Sequence, residues 1–99
     1  MASYERTRRF DRDWKGLTAA DQKRFSVAFE RFDHDLGAGT FRAGLRVKRV
    51  EGTDQVFEMT WSPDGRATFE YGTPEEAGPL VIWRRIGRHD VFRRPRAQG

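Results

Sequence analysis

The spacing of apolar side chains changes once along this chain, and the change constrains its fold class. Up to residue 36 they recur every three to four positions, and from residue 45 they recur every second position. The first period belongs to a helix with one buried stripe, the second to a strand with one buried face. Helices first and strands afterwards predict an α+β domain, a two-helix hairpin on one face of a four-stranded, mainly antiparallel sheet, rather than alternating α/β units.

Phe10, Trp14 and Leu17 stand at i, i+4 and i+7 and predict a short first helix ending near Gly16 or Leu17. Ahead of it, residues 3 to 9 alternate weakly and read as a short N-terminal edge strand. Thr18 precedes Asp21 by three positions, a capping-box spacing that starts a second helix running to about Leu36. Phe25, Ala28, Phe29, Phe32 and Leu36 form its core stripe, and Gly37 with Gly39 ends it. Four strands follow at residues 45 to 50, 56 to 61, 66 to 71 and 80 to 86. Ser62-Pro63-Asp64-Gly65 closes the middle pair into a hairpin, with proline fixing one dihedral and glycine free to take positive φ. The run 80 to 86 is the most apolar and is placed inside the sheet. The acidic loop 72 to 79, rich in glycine and proline, reads as exposed and mobile. Residues 1 to 99 make a single domain, of which about 94 to 99 read as a frayed tail.

A chain of 99 residues has room for one core, and only 36% of it is hydrophobic. With 13% aromatic residues, large rings must carry that core. Trp61 and Trp83, each inside an alternating strand, are assigned to packing. The absence of cysteine excludes a disulfide framework and a thiolate zinc site, and fits a cytoplasmic protein. His34 and His89 are too few for a histidine metal cluster, so neither metal nor cofactor is expected. His34, between Asp33 and Asp35, reads as exposed and inert. No phosphate-binding loop, dinucleotide fingerprint or nucleophile elbow occurs. No apolar stretch reaches the roughly 18 residues of a membrane span.

The net charge of +4 hides a segregation. Residues 40 to 50 carry Arg42, Arg46, Lys48 and Arg49 without an acid, whereas residues 51 to 78 carry seven acids against Arg66 alone. From residue 79 onward six arginines, Arg84, Arg85 and Arg88 among them, face only Asp90. Such a block attracts phosphates or an acidic partner, unless it is simply a solvated surface. On the sheet face that helices leave open, Arg46 and Lys48, two apart, are expected to share one side of the first hairpin strand. Arg66 begins the return strand, and His89 stands three residues beyond Ile86.

The element order, the Gly-Leu-Arg-Val-Lys stretch at 44 to 48, the Asp64-Gly65-Arg66 turn and the closing Ile86-Gly87-Arg88-His89-Asp90-Val91-Phe92 resemble the RelE/ParE superfamily of toxin-antitoxin toxins. The resemblance spans about residues 4 to 93. It implies a metal-independent endoribonuclease that cuts mRNA, often on the ribosome, and is neutralised by a cognate antitoxin protein. It implies His89 as general acid and Arg66, able to bind a phosphate at two points, as stabiliser of the charge growing on phosphorus. The competing readings are a histidine closing the last strand and a solvated turn arginine. Glu58 is either the general base or a salt-bridge partner of Arg46 or Lys48 on the neighbouring strand. Arg46, Lys48, Arg84 and Arg88 are candidate RNA-backbone ligands, and Phe92 either stacks on a base or anchors the tail. Thr60 departs from the superfamily, in which a basic residue is common at that position. That departure leaves open a ParE-like toxin that binds DNA gyrase without nuclease chemistry, or a non-toxic relative.

Overall fold

In the computed structural model, which describes residues 1 to 88, a sheet of five strands is backed by two helices. The elements run β1 (Ser3–Arg6), α1 (Arg8–Lys15), α2 (Ala19–Ala38), β2 (Lys48–Arg49), β3 (Phe57–Ser62), β4 (Gly65–Tyr71) and β5 (Leu80–Arg88). Their order across the sheet is β1-β5-β4-β3-β2. The α+β expectation holds, with one strand more than the four read from the second half of the chain. That strand is β1, which joins β5 in parallel, Tyr4 opposite Val81, while every other pair is antiparallel.

Both helices begin at a threonine. Thr7 accepts from the Phe10 N–H, and Thr18 accepts from the Asp21 N–H, which satisfies one orphan donor in each first turn. Thr7 also donates through its hydroxyl to the Arg84 carbonyl at 2.8 Å, so one residue ends β1, starts α1 and ties both to β5. Only half of the Thr18 capping box forms, because the Asp21 carboxylate is drawn elsewhere, as described below. Gly37 lies within α2, and the helix ends at Gly39, whose φ of 91° supplies the left-handed cap. Asp35 closes this end of the helix as well. It accepts from the Arg42 backbone N–H at 2.9 Å and from that guanidinium at 2.7 and 2.9 Å.

The core lies between α2 and one sheet face. Phe25, Ala28 and Phe32 of α2 are buried, with Phe29 and Leu36 partly so. Phe32 meets the rings of Phe69 and Trp83, each with centroids 5.1 Å away. Burying a ring of this size contributes about 2 to 3 kcal/mol, before any aromatic pairing. From the sheet come Met59, Trp61, Ala67, Phe69, Val81, Trp83 and Ile86. Trp83 and Ile86 are three apart and would face opposite ways in a regular strand. A bulge reconciles them: Phe69 pairs with Trp83 and Thr68 with Arg85, leaving Arg84 unopposed.

A second irregularity sits at the β3–β4 hairpin. Thr60 pairs with Arg66 and Ser62 with Gly65, so Trp61 is the extra residue. Its ring lies over Gly65, where an added Cβ would stand 2.5 Å from the indole. Gly65 is therefore required for its missing side chain and not, as the turn sequence suggests, for a positive φ, which it does not adopt. The Trp61 indole N–H is buried without a hydrogen-bond partner among the described residues.

The strand expected at 45 to 50 is largely absent. Residues Ala43–Leu45 form a single 3-10 turn that buries Leu45, and Arg46 follows it at a φ of 48°. Burial of Leu45 against the sheet takes precedence over the alternation, and β2 is left with two residues. The loop after β4 is exposed over residues 73 to 77 and fastened at both ends. Glu75 N–H donates to the Gly78 carbonyl at 2.8 Å, and the Ser3 hydroxyl donates to the Glu75 carboxylate at 2.7 Å.

Candidate nucleic-acid interface

The helices leave one sheet face uncovered, and alternation along β3 and β4 places Glu58, Thr60, Arg66, Thr68 and Glu70 on it. Lys48 joins them through its pairing with Glu58, and Arg84 through the bulge. Arg46 does not. Its left-handed conformation turns it out of the strand, so Arg46 and Lys48 share no strand face.

Arg66 was expected to be an exposed turn residue, yet its side chain is only 18% exposed. One guanidinium nitrogen donates to the Gly65 carbonyl at 2.9 Å and lies 3.4 Å from the carbonyls of Ser62 and Pro63. Its Nε stands 3.9 Å from Glu58 Oε2, and Lys48 Nζ reaches the same oxygen at 3.9 Å from the other side. Glu58 thus sits between two cations, the ion-pair alternative expected from sequence, with Arg66 in the place proposed for Arg46. At these distances the attraction is electrostatic rather than a hydrogen bond, so a phosphate could replace the carboxylate without breaking a short contact. The Thr60–Arg66 pair puts the non-basic residue directly beside the candidate phosphate ligand.

The remaining arginines of β5 do not form a free positive field. Arg84 donates to Glu70 at 3.2 Å on the open face. Arg85 crosses to α1 and donates to both oxygens of Asp13, which also accepts from the Ile86 N–H at 3.2 Å. Arg88 leaves the open face entirely: it reaches Asp21 at 3.1 Å and Asp64 at 3.3 Å. Asp21, buried to 4% side-chain exposure, also takes Arg24 at 2.8 Å. These acids are separated from their arginines by up to 72 residues in sequence, which is why charge counting along the chain missed them.

His89 and Phe92 lie outside the described residues. The strand that leads to them is fixed nonetheless, with Arg88 opposite Gly65 and Gly87 opposite Arg66. His34 is exposed beside Asp35, with its Nδ1 3.2 Å from that carboxylate. A groove of about 760 Å³ lies on the helix side, walled by Tyr4, Phe10, Trp14, Phe25, Phe29 and Trp83. None of the described candidate site residues lines it. No described helix is long and apolar enough to cross a membrane.

A β1-α1-α2-β2-β3-β4-β5 chain with this sheet order defines a small α+β protein whose helices cover one sheet face and leave Lys48, Glu58 and Arg66 on the other. No family model and no curated protein matches the sequence. Among solved structures, a chain of the Escherichia coli DinJ-YafQ toxin-antitoxin complex matches at a TM-score of 0.70 and 13% identity, over 92% of this chain and 96% of that one. YafQ from E. coli strain BL21(DE3) matches at 0.62 and 16%, over 93% and 98%. A chain of the RelB-RelE antitoxin-toxin complex from Methanococcus jannaschii matches at 0.61 and 13%, over 90% and 94%. The chain has the RelE-like toxin fold along nearly its whole described length.

Proposed function

We propose that this chain is a RelE-like toxin that cleaves mRNA without a metal ion and is neutralised by a cognate antitoxin. The observation that carries the proposal is the position of Arg66. It stands on the helix-free sheet face, 3.9 Å from Glu58 and opposite Gly87, and His89 is the second residue after that glycine. The similarity to chains from the DinJ-YafQ and RelB-RelE complexes supports the same reading.

The chemistry follows from ordinary phosphodiester transfer. The ribose 2′-oxygen attacks phosphorus, its proton passes to a base, and the bond to the 5′-oxygen breaks, leaving a 2′,3′-cyclic phosphate. Arg66 neutralises charge on the non-bridging oxygens, and His89, an imidazole able to carry and release a proton, protonates the departing oxygen. Glu58 is the carboxylate within reach of both Arg66 and Lys48 and takes the part of base, exchanging its ion pairs for the substrate. Lys48 and Arg84 hold the flanking backbone, and Phe92 offers a ring for base stacking.

A second reading has one observation in its favour. Every described open-face cation, Lys48, Arg66 and Arg84, already has a carboxylate partner, and Thr60 stands beside Arg66. A face so neutralised suits a toxin that binds a protein such as DNA gyrase. The two separate in one assay: purified protein incubated with mRNA and a chelator, with 5′-hydroxyl and cyclic-phosphate ends mapped. Such ends, lost in His89→Ala, support the nuclease; intact RNA at high protein concentration, with and without ribosomes, removes it.

A further inference from the structure

The described cations of the sheet face are all paired, and unpaired ones are found on α1. With 3.6 residues per turn, Arg8, Arg12 and Lys15 fall within about 60° of one another and point away from Phe10 and Trp14, the residues α1 turns inward. All three are exposed. The two acids of the helix are spent elsewhere: Asp11 accepts from Arg6 at 2.8 Å, and Asp13 is taken by Arg85 and the Ile86 N–H. No described carboxylate pairs with Arg8, Arg12 or Lys15. Helix stability does not account for Arg8 either, since the macrodipole disfavours a cation in the first turn.

We propose that this stripe is a track for the phosphate backbone of RNA, outside the position of cleavage. The inference rests on the RNA reading above and adds a second surface to it. From Arg8 to Lys15 the helix rises about 10 Å, room for about three phosphates of one strand. The stripe does not end in solvent. Arg12 and Arg88 line a common hollow of about 450 Å³ with Asp13, Thr18, Asp21 and Gly87, so a strand lying on α1 continues to the end of β5, beside Gly65 and Arg66. A protein partner fits this surface less well. Protein interfaces anchor on desolvated aromatic side chains, whereas the large hydrophobic residues exposed among the described ones, Met1, Val27 and Tyr71, are all off α1. Exposed cations with no apolar anchor are what a sequence-independent backbone contact uses.

The test is equilibrium binding of a labelled oligouridylate across a salt series, using the full chain carrying Arg8→Gln, Arg12→Gln and Lys15→Gln together. Arg31→Gln, an exposed cation elsewhere on α2, is the control for loss of net charge. Expected are affinity at least about tenfold weaker and a log–log salt slope shallower by about 2, at about 0.7 per lost single-strand phosphate contact, with Arg31→Gln near wild type. An unchanged slope in the triple variant overturns the proposal. So does an equal effect per charge from Arg31→Gln, which would mean a diffuse field. So does selective loss of binding to polyglutamate with RNA binding retained, which would make the stripe a protein contact. If the wild type fails to bind the oligonucleotide at all, the RNA reading itself falls and this surface with it. All the substituted side chains are exposed, so the thermal midpoint should not move and serves as the fold control.

Discussion

Asp21, in the first turn of α2, accepts a hydrogen bond at 3.1 Å from the guanidinium of Arg88, the last described residue of β5. The same carboxylate takes Arg24 at 2.8 Å and is nearly sealed from water, while both arginines remain about half exposed. A residue that sequence assigns to a helix cap thereby staples that helix to the strand leading into the candidate site. Asp21→Ala should cost about 1 to 3 kcal/mol, since the buried acceptor is lost while the arginines can return to water. Urea denaturation measures it, and a midpoint equal to wild type would contradict the staple.

Gly65 supplies a steric test of the hairpin. An alanine there would put Cβ within 2.5 to 2.6 Å of three atoms of the Trp61 indole, a ring buried on every side. Gly65→Ala is expected to destabilise by about 1 to 3 kcal/mol, the usual cost of overpacking. Gly44→Ala, where an added Cβ meets nothing within 4 Å, should stay within about 0.5 kcal/mol. Thermal melts of the pair check the contrast.

Arg66 should show both a structural and a functional effect. Its hydrogen bond to the Gly65 carbonyl makes Arg66→Ala cost about 1 kcal/mol, instead of nothing as an exposed turn residue would. Arg66→Lys keeps the charge near Glu58 but gives up the forked geometry, and is expected to lower RNA cleavage about a hundredfold or more. Single-turnover cleavage beside an equilibrium melt separates the two effects. A lysine variant with full activity would show that only the charge matters.

The Asp35–Arg42 clamp gives a pH signature. Hydrogen bonds from the Arg42 guanidinium, and then from its backbone N–H, hold the Asp35 carboxyl well below the usual carboxylate range. A folded-state pKa below the unfolded one means stabilisation that is complete above the ordinary carboxylate range and is lost progressively as pH falls through the depressed folded value. The melting-temperature gap between wild type and Asp35→Asn should therefore be constant around neutrality and close in acid. A gap that does not narrow at all as the pH is lowered through the acid range would mean the clamp is steric rather than ionic.

The helices, their core stripe and the β3–β4–β5 meander were legible because burial imposes a period, and Phe25, Phe32, Phe69 and Trp83 obey it. What escaped were irregularities that tertiary packing imposes. Neither bulge, at Trp61 nor at Arg84, leaves a local signature, and the 3-10 turn that buries Leu45 overrode an alternating stretch. At the candidate site, Lys48, Glu58 and Arg66 were named and do come together. Arg46 was assigned to a strand face it does not occupy, and Arg88 was read as part of a free positive block, because a one-dimensional charge tally cannot reveal that Asp21 and Asp64 meet it. Thr7 had the spacing of an N-cap ahead of Phe10 and could have been found. The α1 stripe was visible as a period but became meaningful only when Asp11 and Asp13 proved to be paired with other segments.

The most direct measurement of the central claim is inducible expression of the wild type and of His89→Ala at equal protein level, with growth and mRNA ends followed in the same cultures. Growth arrest with new mRNA ends, both abolished by the substitution, is the expected result. Arrest that survives His89→Ala without RNA cleavage would contradict the nuclease and leave the gyrase-type reading standing.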